Sequence, residues 1–146
     1  LGALVSGWGG VFDWRVIEEA APVEVKDARL DFRRTDHPIP TFAVEVSSDA
    51  TRLIYTADTG PGWSVDSFPH GADLVLAEAS YLHSDRRTNM HLSAHEAGEM
   101  ARNSSAGALM LTHLWPTVDS IESLHEGSEA FGAPATLATP RLVTNV

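Results

Sequence analysis

The stretch that decides the fold is LVLAEAS, residues 74–80, whose first four residues form an uninterrupted apolar run. A second run of this kind, LML, occupies residues 109–111. Continuous apolar runs are typical of strands that are covered on both faces, whereas half-buried strands alternate apolar and polar residues. The two runs therefore predict buried strands in the second half of the chain.

Two helices are predicted beside these strands. Ser93 and Glu96 form an S-x-x-E capping box at the start of a helix that extends to Asn103. Asp119 and Glu122 are start signals for a second helix over Ser120–Phe131. Strand and helix alternate in this part of the chain, which predicts helices packed on a mixed sheet, in the α/β or α+β class.

The first half of the chain has the pattern of strands separated by turns. Two prolines in the segment 36–40 force an extended turn, and the segment SSDA at 47–50 predicts the turn of a hairpin. The strands predicted around these turns are Val11–Ile17, Ala28–Arg34, Thr41–Val46 and Arg52–Thr56.

Composition excludes several classes of function. The chain has 146 residues, enough for one domain with a core, and its net charge of −10 disfavours binding to a nucleic-acid backbone. It has no cysteine, which excludes disulfide scaffolds, thiolate zinc sites and cysteine nucleophiles, and favours a cytoplasmic protein. No apolar run approaches the roughly 18 residues that a membrane span needs.

Polar side chains that suit metal binding follow three of the predicted strands. His37, Asp58 and His113 each lie at a strand end beside a glycine or proline turn. Such nitrogen and oxygen donors suit Zn²⁺, Mn²⁺ or Fe²⁺, and an aspartate can bridge two ions. Taken singly, each residue is explained as well by a polar turn; their recurrence at three strand ends favours a metal site.

Glu78 and His91 form a second candidate pair. A carboxylate at the end of an apolar strand is costly without a partner, and an imidazole beside it could transfer protons. The alternative partners for Glu78 are Arg86 and Arg87. His91 and His95 have an H-x-x-x-H spacing, but the capping box leaves His91 outside the helix, so we expect His95 to be a solvated helix residue.

These segments resemble the metallo-β-lactamase-fold hydrolases, in particular the branch around ribonuclease Z. The resemblance spans roughly residues 12–146. It is carried by TDHPIPTFAV (35–44), YTADTG (55–60), LAEAS (76–80), HLSAHEA (91–97) and LTHLWP (111–116), which occur in the order and spacing of that family.

The resemblance implies a role for each candidate residue. His37 would be a ligand of the first metal, Asp58 the bridging aspartate and His113 a ligand of the second metal, with two Zn²⁺ ions in the complete protein. Glu78 and His91 would help to protonate the leaving group. The implied activity is hydrolysis of a phosphodiester or related ester, in a small-molecule substrate, by a metal-activated hydroxide.

The chain departs from the family pattern in three respects. It lacks the H-x-H-x-D-H motif that supplies most metal ligands upstream of these segments. We therefore expect residues 1–146 to be a single metallo-β-lactamase-like domain without its N-terminal part, the C-terminal half of an αββα sandwich, which binds metal weakly and is inactive alone. The 20 residues between His37 and Asp58 leave no room for a tRNA-binding arm, and no cysteine ligand of true β-lactamases is present.

Two functions from different classes remain open at this point. The first is a metal-dependent hydrolase. The second is a non-catalytic binding or assembly module that retains the fold without a complete metal site, with its exposed sheet face covered by a partner or a second copy. Because relatives are commonly dimers and a half-sandwich exposes more apolar surface, we also expect a homodimer.

Overall fold

Seven strands form one sheet in the computed structural model, which describes residues 11, 15–49, 51–85 and 89–146. The strands follow one another in chain order across the sheet. They are β1 (Val23–Val25), β2 (Ala28–Arg34), β3 (Phe42–Ser48), β4 (Thr51–Tyr55), β5 (Leu74–Glu78), β6 (Ala108–Thr112) and β7 (Thr136–Leu137). The α-helices are α1 (Ala94–Asn103) and α2 (Ser120–Phe131), and short 3-10 helices cover Val65–Ser67 and His83–Asp85.

The sheet changes character at β4. Strands β1 to β4 form an antiparallel meander, in which a tight turn at Asp49 joins β3 to β4. Strands β4 to β7 are parallel and need crossovers, two of which contain α1 and α2. This mixed sheet with flanking helices confirms the predicted fold class.

Both helices pack on one face of the sheet. Alternate residues of the central strands point to this face and are fully buried, among them Ile54, Val75 and Leu111. The helices approach each other closely at Gly98, where an added Cβ would lie 2.5 Å from the carbonyl oxygen of Gly127. The principal core therefore lies between the sheet and the helix pair.

The opposite face of the sheet is also apolar but is less completely covered. Phe32, Leu74 and Met110 are buried on this face. We name its remaining large apolar residues, which are partly exposed, the open sheet face: Leu30, Phe42, Val44, Val46, Leu53 and Leu76.

The helix predictions are confirmed at the residue level. Ser93 is the N-cap of α1, and both hydrogen bonds of its capping box with Glu96 are present. Asp119 caps α2 by accepting hydrogen bonds from Ile121 and Glu122. None of the helices in the described ranges is long and apolar enough to cross a membrane.

The strand predictions are confirmed except at the start of the chain. β2 has the predicted bounds, and β3 to β6 differ from theirs by one or two residues at one or both ends. The strand predicted over Val11–Ile17 is wrong at its C-terminal end, because Arg15–Ile17 are exposed and form no ladder; residues 12–14 lie outside the described residues. The pattern also missed β1 and β7, which are too short for alternation to be recognised.

Candidate metal and proton-transfer site

Two loops that follow β2 and β4 are hydrogen-bonded together. Thr35 Oγ1 donates to the carbonyl oxygen of Asp58 over 2.8 Å, and the Gly60 N–H donates to the carbonyl oxygen of Asp36 over 2.7 Å. The buried Thr35 thus fixes the backbone of Asp58. These bonds bring His37 and Asp58 together at one end of the sheet.

The imidazole of His37 is fixed through Nδ1. This atom lies 3.3 Å from the carbonyl oxygen of Ile39 and 3.2 Å from Thr41 Oγ1. A carbonyl oxygen can only accept, so the Ile39 contact favours the tautomer with the proton on Nδ1, whereas the Thr41 hydroxyl can pair with either tautomer. Nε2 of His37 is then the nitrogen with a lone pair available for a metal.

Glu78 is the most deeply buried charged group of the site. It is fully buried at the end of β5, where Oε1 accepts from the Thr59 N–H over 2.6 Å and Oε2 from Ser80 Oγ over 2.9 Å. His91 Nδ1 lies 3.0 and 3.2 Å from its two oxygens. Burial raises the pKa of the Glu78 carboxyl above its ordinary value, although these donors oppose the shift.

A closed loop presents His91 to Glu78. Its two ends are joined because the Ser80 N–H donates to the Leu92 carbonyl and the Ala94 N–H to the Tyr81 carbonyl, each over 2.9 Å. The ring of Tyr81 packs edge-on against His91 with centroids 6.2 Å apart. The His91 side chain is only 13% exposed, so packing and the Glu78 contact together fix its ring.

His113 follows β6 in an uncommon backbone conformation. Its φ of +57° lies in the left-handed region, which costs free energy for a residue other than glycine and is frequent at functional sites. Nδ1 lies 3.0 Å from Ser80 Oγ, and Nε2 lies 3.6 Å from Asp58 Oδ1. Ser80 therefore contacts both Glu78 and His113.

The five predicted residues converge, and their atoms form two overlapping groups. Ligand atoms of His37, Asp58 and His91 lie within 4.8 Å of one another, as do those of Glu78, His91 and His113. The rings of His91 and His113 are stacked with centroids 5.4 Å apart. Imidazole nitrogens and a carboxylate are donors that fit Zn²⁺, Mn²⁺ or Fe²⁺, so the residues present fit a divalent metal.

Two polar residues that the sequence patterns do not reveal organise this site. Ser80 and Thr59 are fully buried and supply donors to Glu78. Both lie inside the segments that carry the family resemblance, but a small hydroxyl residue has no pattern that reveals its partner. The alternative partners of Glu78, Arg86 and Arg87, lie outside the described residues.

The other histidines lie away from this convergence. His95 is partly exposed on α1, 3.5 Å from Glu99, as expected for a solvated helix residue. His70, His83 and His125 are exposed. Trp115 is 38% exposed and packs on Tyr81 with ring centroids 5.0 Å apart.

Comparisons with known proteins show the family and the fold of the chain. The family described as a beta-lactamase superfamily domain matches residues 7–114. The uncharacterized protein ML1173 of Mycobacterium leprae is 33% identical over 143 residues, which are 92% of this chain and 50% of that protein. The chain thus spans about half the length of this relative.

Two further proteins have known structures. YhfI of Bacillus subtilis, named a probable metallo-hydrolase, is 32% identical over 94 residues, 64% of this chain and 38% of that protein. Its crystal structure, of a metallo-beta-lactamase fold protein, matches with a TM-score of 0.78 at 22% identity and covers 93% of this chain and 58% of that one. The short form of human tRNase Z matches with a TM-score of 0.63 at 20% identity, over 84% of this chain and 45% of that one.

Proposed function

Because this chain belongs to the beta-lactamase superfamily, we propose that it carries the second half of the active site of a metal-dependent hydrolase that cleaves a phosphodiester or related ester. The observation that supports this most strongly is the convergence of His37, Asp58 and His113 with a buried Glu78–His91 pair. A carboxylate with imidazoles on either side fits divalent metal ions, and an imidazole held by a buried carboxylate fits proton transfer.

In this proposal His37, Asp58 and His113 hold the metal. A bound divalent ion would polarise the substrate oxygen and lower the pKa of a water molecule. A ligand atom of Asp58 lies within 4.8 Å of one of His37, and Asp58 Oδ1 lies 3.6 Å from His113 Nε2, so Asp58 would be the residue that two ions share. The remaining ligands would come from an H-x-H-x-D-H segment upstream of residue 1.

His91 is proposed to protonate the leaving group. Glu78 accepts the Nδ1–H of His91, which leaves Nε2 directed away from the buried carboxylate. When His91 is protonated at both nitrogens, the Glu78 carboxylate stabilises the positive charge of its ring. His91 can then donate the Nε2 proton to the departing oxygen. Glu78 is a positioning residue in this scheme, since the protein groups around it leave it no access to substrate.

Leaving-group dependence tests the role of His91. The assay uses a form of the protein extended at its N-terminus to include an H-x-H-x-D-H segment, beside the 146-residue chain, with Zn²⁺ or Mn²⁺. Replacing His91 by Ala should slow cleavage of an alkyl phosphodiester by about 10²–10⁴-fold. It should slow cleavage of a 4-nitrophenyl phosphodiester much less, because 4-nitrophenolate leaves without a proton.

Three outcomes would contradict the proposal. Equal loss with both leaving groups would exclude proton donation by His91. Full activity after Asp58→Ala would exclude the metal assignment. An extended, folded, metal-loaded protein without hydrolytic activity would favour a non-catalytic binding module. A ribonucleic acid substrate in the same assay tests whether the charge of −10 excludes nucleic acid.

A further inference from the structure

We infer that His91 is itself a metal ligand in the 146-residue chain, which binds a single divalent transition metal through His37, Asp58 and His91. The inference rests on the proposed assignment of His37 and Asp58 as ligands, and it adds a site that takes His91 out of proton transfer. It follows from which side-chain atoms converge and from the bonds that orient them.

The convergent group has the composition of a site for one ion. His37, Asp58 and His91 have ligand atoms that are all within 4.8 Å of one another, whereas His113 is not a member of this group. Two imidazoles and one carboxylate with the other positions open form a recurrent site for a divalent transition metal. The described part of the chain thus holds three ligands of one ion without any residue from elsewhere.

Both imidazole rings are oriented for binding. Nδ1 of His37 is held by the Ile39 carbonyl, and Nδ1 of His91 by the Glu78 carboxylate. A metal-binding histidine almost always donates its other ring N–H to a carboxylate or a backbone carbonyl. Each imidazole has such a partner, so both Nε2 atoms are prepared as ligands.

The group of His37, Asp58 and His91 is more accessible than the overlapping group that contains Glu78. Glu78 already accepts from Thr59, Ser80 and His91, and its carboxylate is fully buried. A metal bound to Glu78 would have to replace those donors. The group that contains Asp58, which is one-third exposed, is the accessible one, and Glu78 orients its histidine instead of binding the ion.

Binding of one ion has a consequence for activity. An imidazole that binds metal through Nε2 has no proton there to give, so the single-ion state cannot protonate a leaving group through His91. Ligands from an upstream segment would compete with His91 for the ion and release its ring. Occupation by one ion in the 146-residue chain is therefore an inactive state of the proposed site.

The experiment titrates the 146-residue chain with Co²⁺ alone, followed by visible absorption and calorimetry. We expect one ion per chain. His91→Ala should lower the affinity at least tenfold, and Glu78→Gln should lower it about 10–100-fold by loss of the carboxylate that orients the ring. His113→Ala and the exposed control His125→Ala should change it less than twofold.

The outcomes distinguish this inference from the proposed function. Co²⁺ binding that is weakened by His113→Ala and unchanged by His91→Ala overturns the inference but supports the ligand set of the proposed function. Binding that is unchanged by Asp58→Ala contradicts both. A folded chain that binds no Co²⁺ overturns the inference alone, because the proposed function takes further ligands from an upstream segment. Thermal unfolding of each variant without metal establishes that the substitutions leave the fold intact.

Discussion

At the scale of single residues, Glu45 is a buried carboxylate outside the proposed site. It lies on β3 opposite Asp31 and Ile54, and it is only 5% exposed. No hydrogen-bond donor contacts its Oε2 within the part of the chain that the structure describes. Burial is the main reason that the pKa of Glu45 is raised, and the nearby charge of Arg52 opposes it.

The raised pKa of Glu45 predicts a pH dependence of stability. Its folded-state pKa lies above the unfolded value, so the folded state holds the proton more tightly. Stability falls as pH rises between those two pKa values and stays lower at neutral pH. Glu45→Gln should therefore raise the free energy of unfolding at pH 7 and flatten its dependence on pH.

Urea unfolding at several pH values tests this prediction. Glu129→Gln, an exposed glutamate on α2, is the matched control because it removes the same charge. A Glu45→Gln variant that is less stable than the wild type at pH 7 would show that the ionised carboxylate is favourable where it lies.

At the scale of elements, the two helices depend on close contact at Gly98. Glycine in a helix normally lowers stability relative to alanine by about 0.5–1 kcal/mol. At Gly98 an added methyl group would instead lie 2.5 Å from the Gly127 carbonyl oxygen and 2.8 Å from Ala130 Cβ. Gly98→Ala should therefore lower the free energy of unfolding, by about 1–3 kcal/mol for overpacking.

Gly71→Ala is the control for this substitution, because an added Cβ at Gly71 has no described atom within 4 Å. It should change stability by no more than about 0.5 kcal/mol. If Gly98→Ala were as stable as Gly71→Ala, α1 and α2 would have to be less closely packed than described.

Glu126 on α2 connects both ends of the loop that carries His91. Its carboxylate accepts from the backbone N–H of His83, at 3.0 Å to each oxygen, and from that of His95 at 3.1 Å. Glu126→Ala should lower the free energy of unfolding by about 1 kcal/mol, because the partly buried N–H of His95 and the exposed N–H of His83 lose a charged acceptor. Hydrogen exchange at the His83 and His95 amides should become faster.

Glu129→Ala serves as the control, since this glutamate is on the same helix but exposed. Exchange that is accelerated equally across the molecule by Glu126→Ala would indicate global destabilisation and would exclude a local clamp on the loop.

Local sequence signals predicted the elements better than they predicted the site. The caps at Ser93 and Asp119 act within one helical turn, so both helix starts could be read from the chain. The strand-end positions of His37, Asp58 and His113 also predicted that Asp58 lies near both histidines, because the three strands end at the same edge of the sheet. The membership of His91 in the first ligand group depends on the closed loop 81–93, which no periodic pattern encodes.

At the scale of the whole molecule, the two faces of the sheet differ in how they are covered. The helices bury one face, whereas Val44, Val46 and Leu76 on the open sheet face remain partly exposed. Apolar residues on adjacent strands form a continuous surface there, and surfaces of this kind mark contacts with another layer of protein. The open sheet face is therefore a surface that fits a further layer of protein.

The same face predicts self-association of the 146-residue chain. Two copies of the chain can pack with their open sheet faces against each other about a twofold axis, because a twofold axis brings the same surface of each copy into contact. Val44→Lys places a charge in the centre of the open sheet face and should shift the chain towards monomer in sedimentation velocity. Ile121→Lys is the control, since Ile121 is 79% exposed on α2, on the other side of the sheet. A wild-type chain that stays monomeric as its concentration rises would contradict self-association, and an equal effect of both substitutions would exclude the open sheet face as its contact.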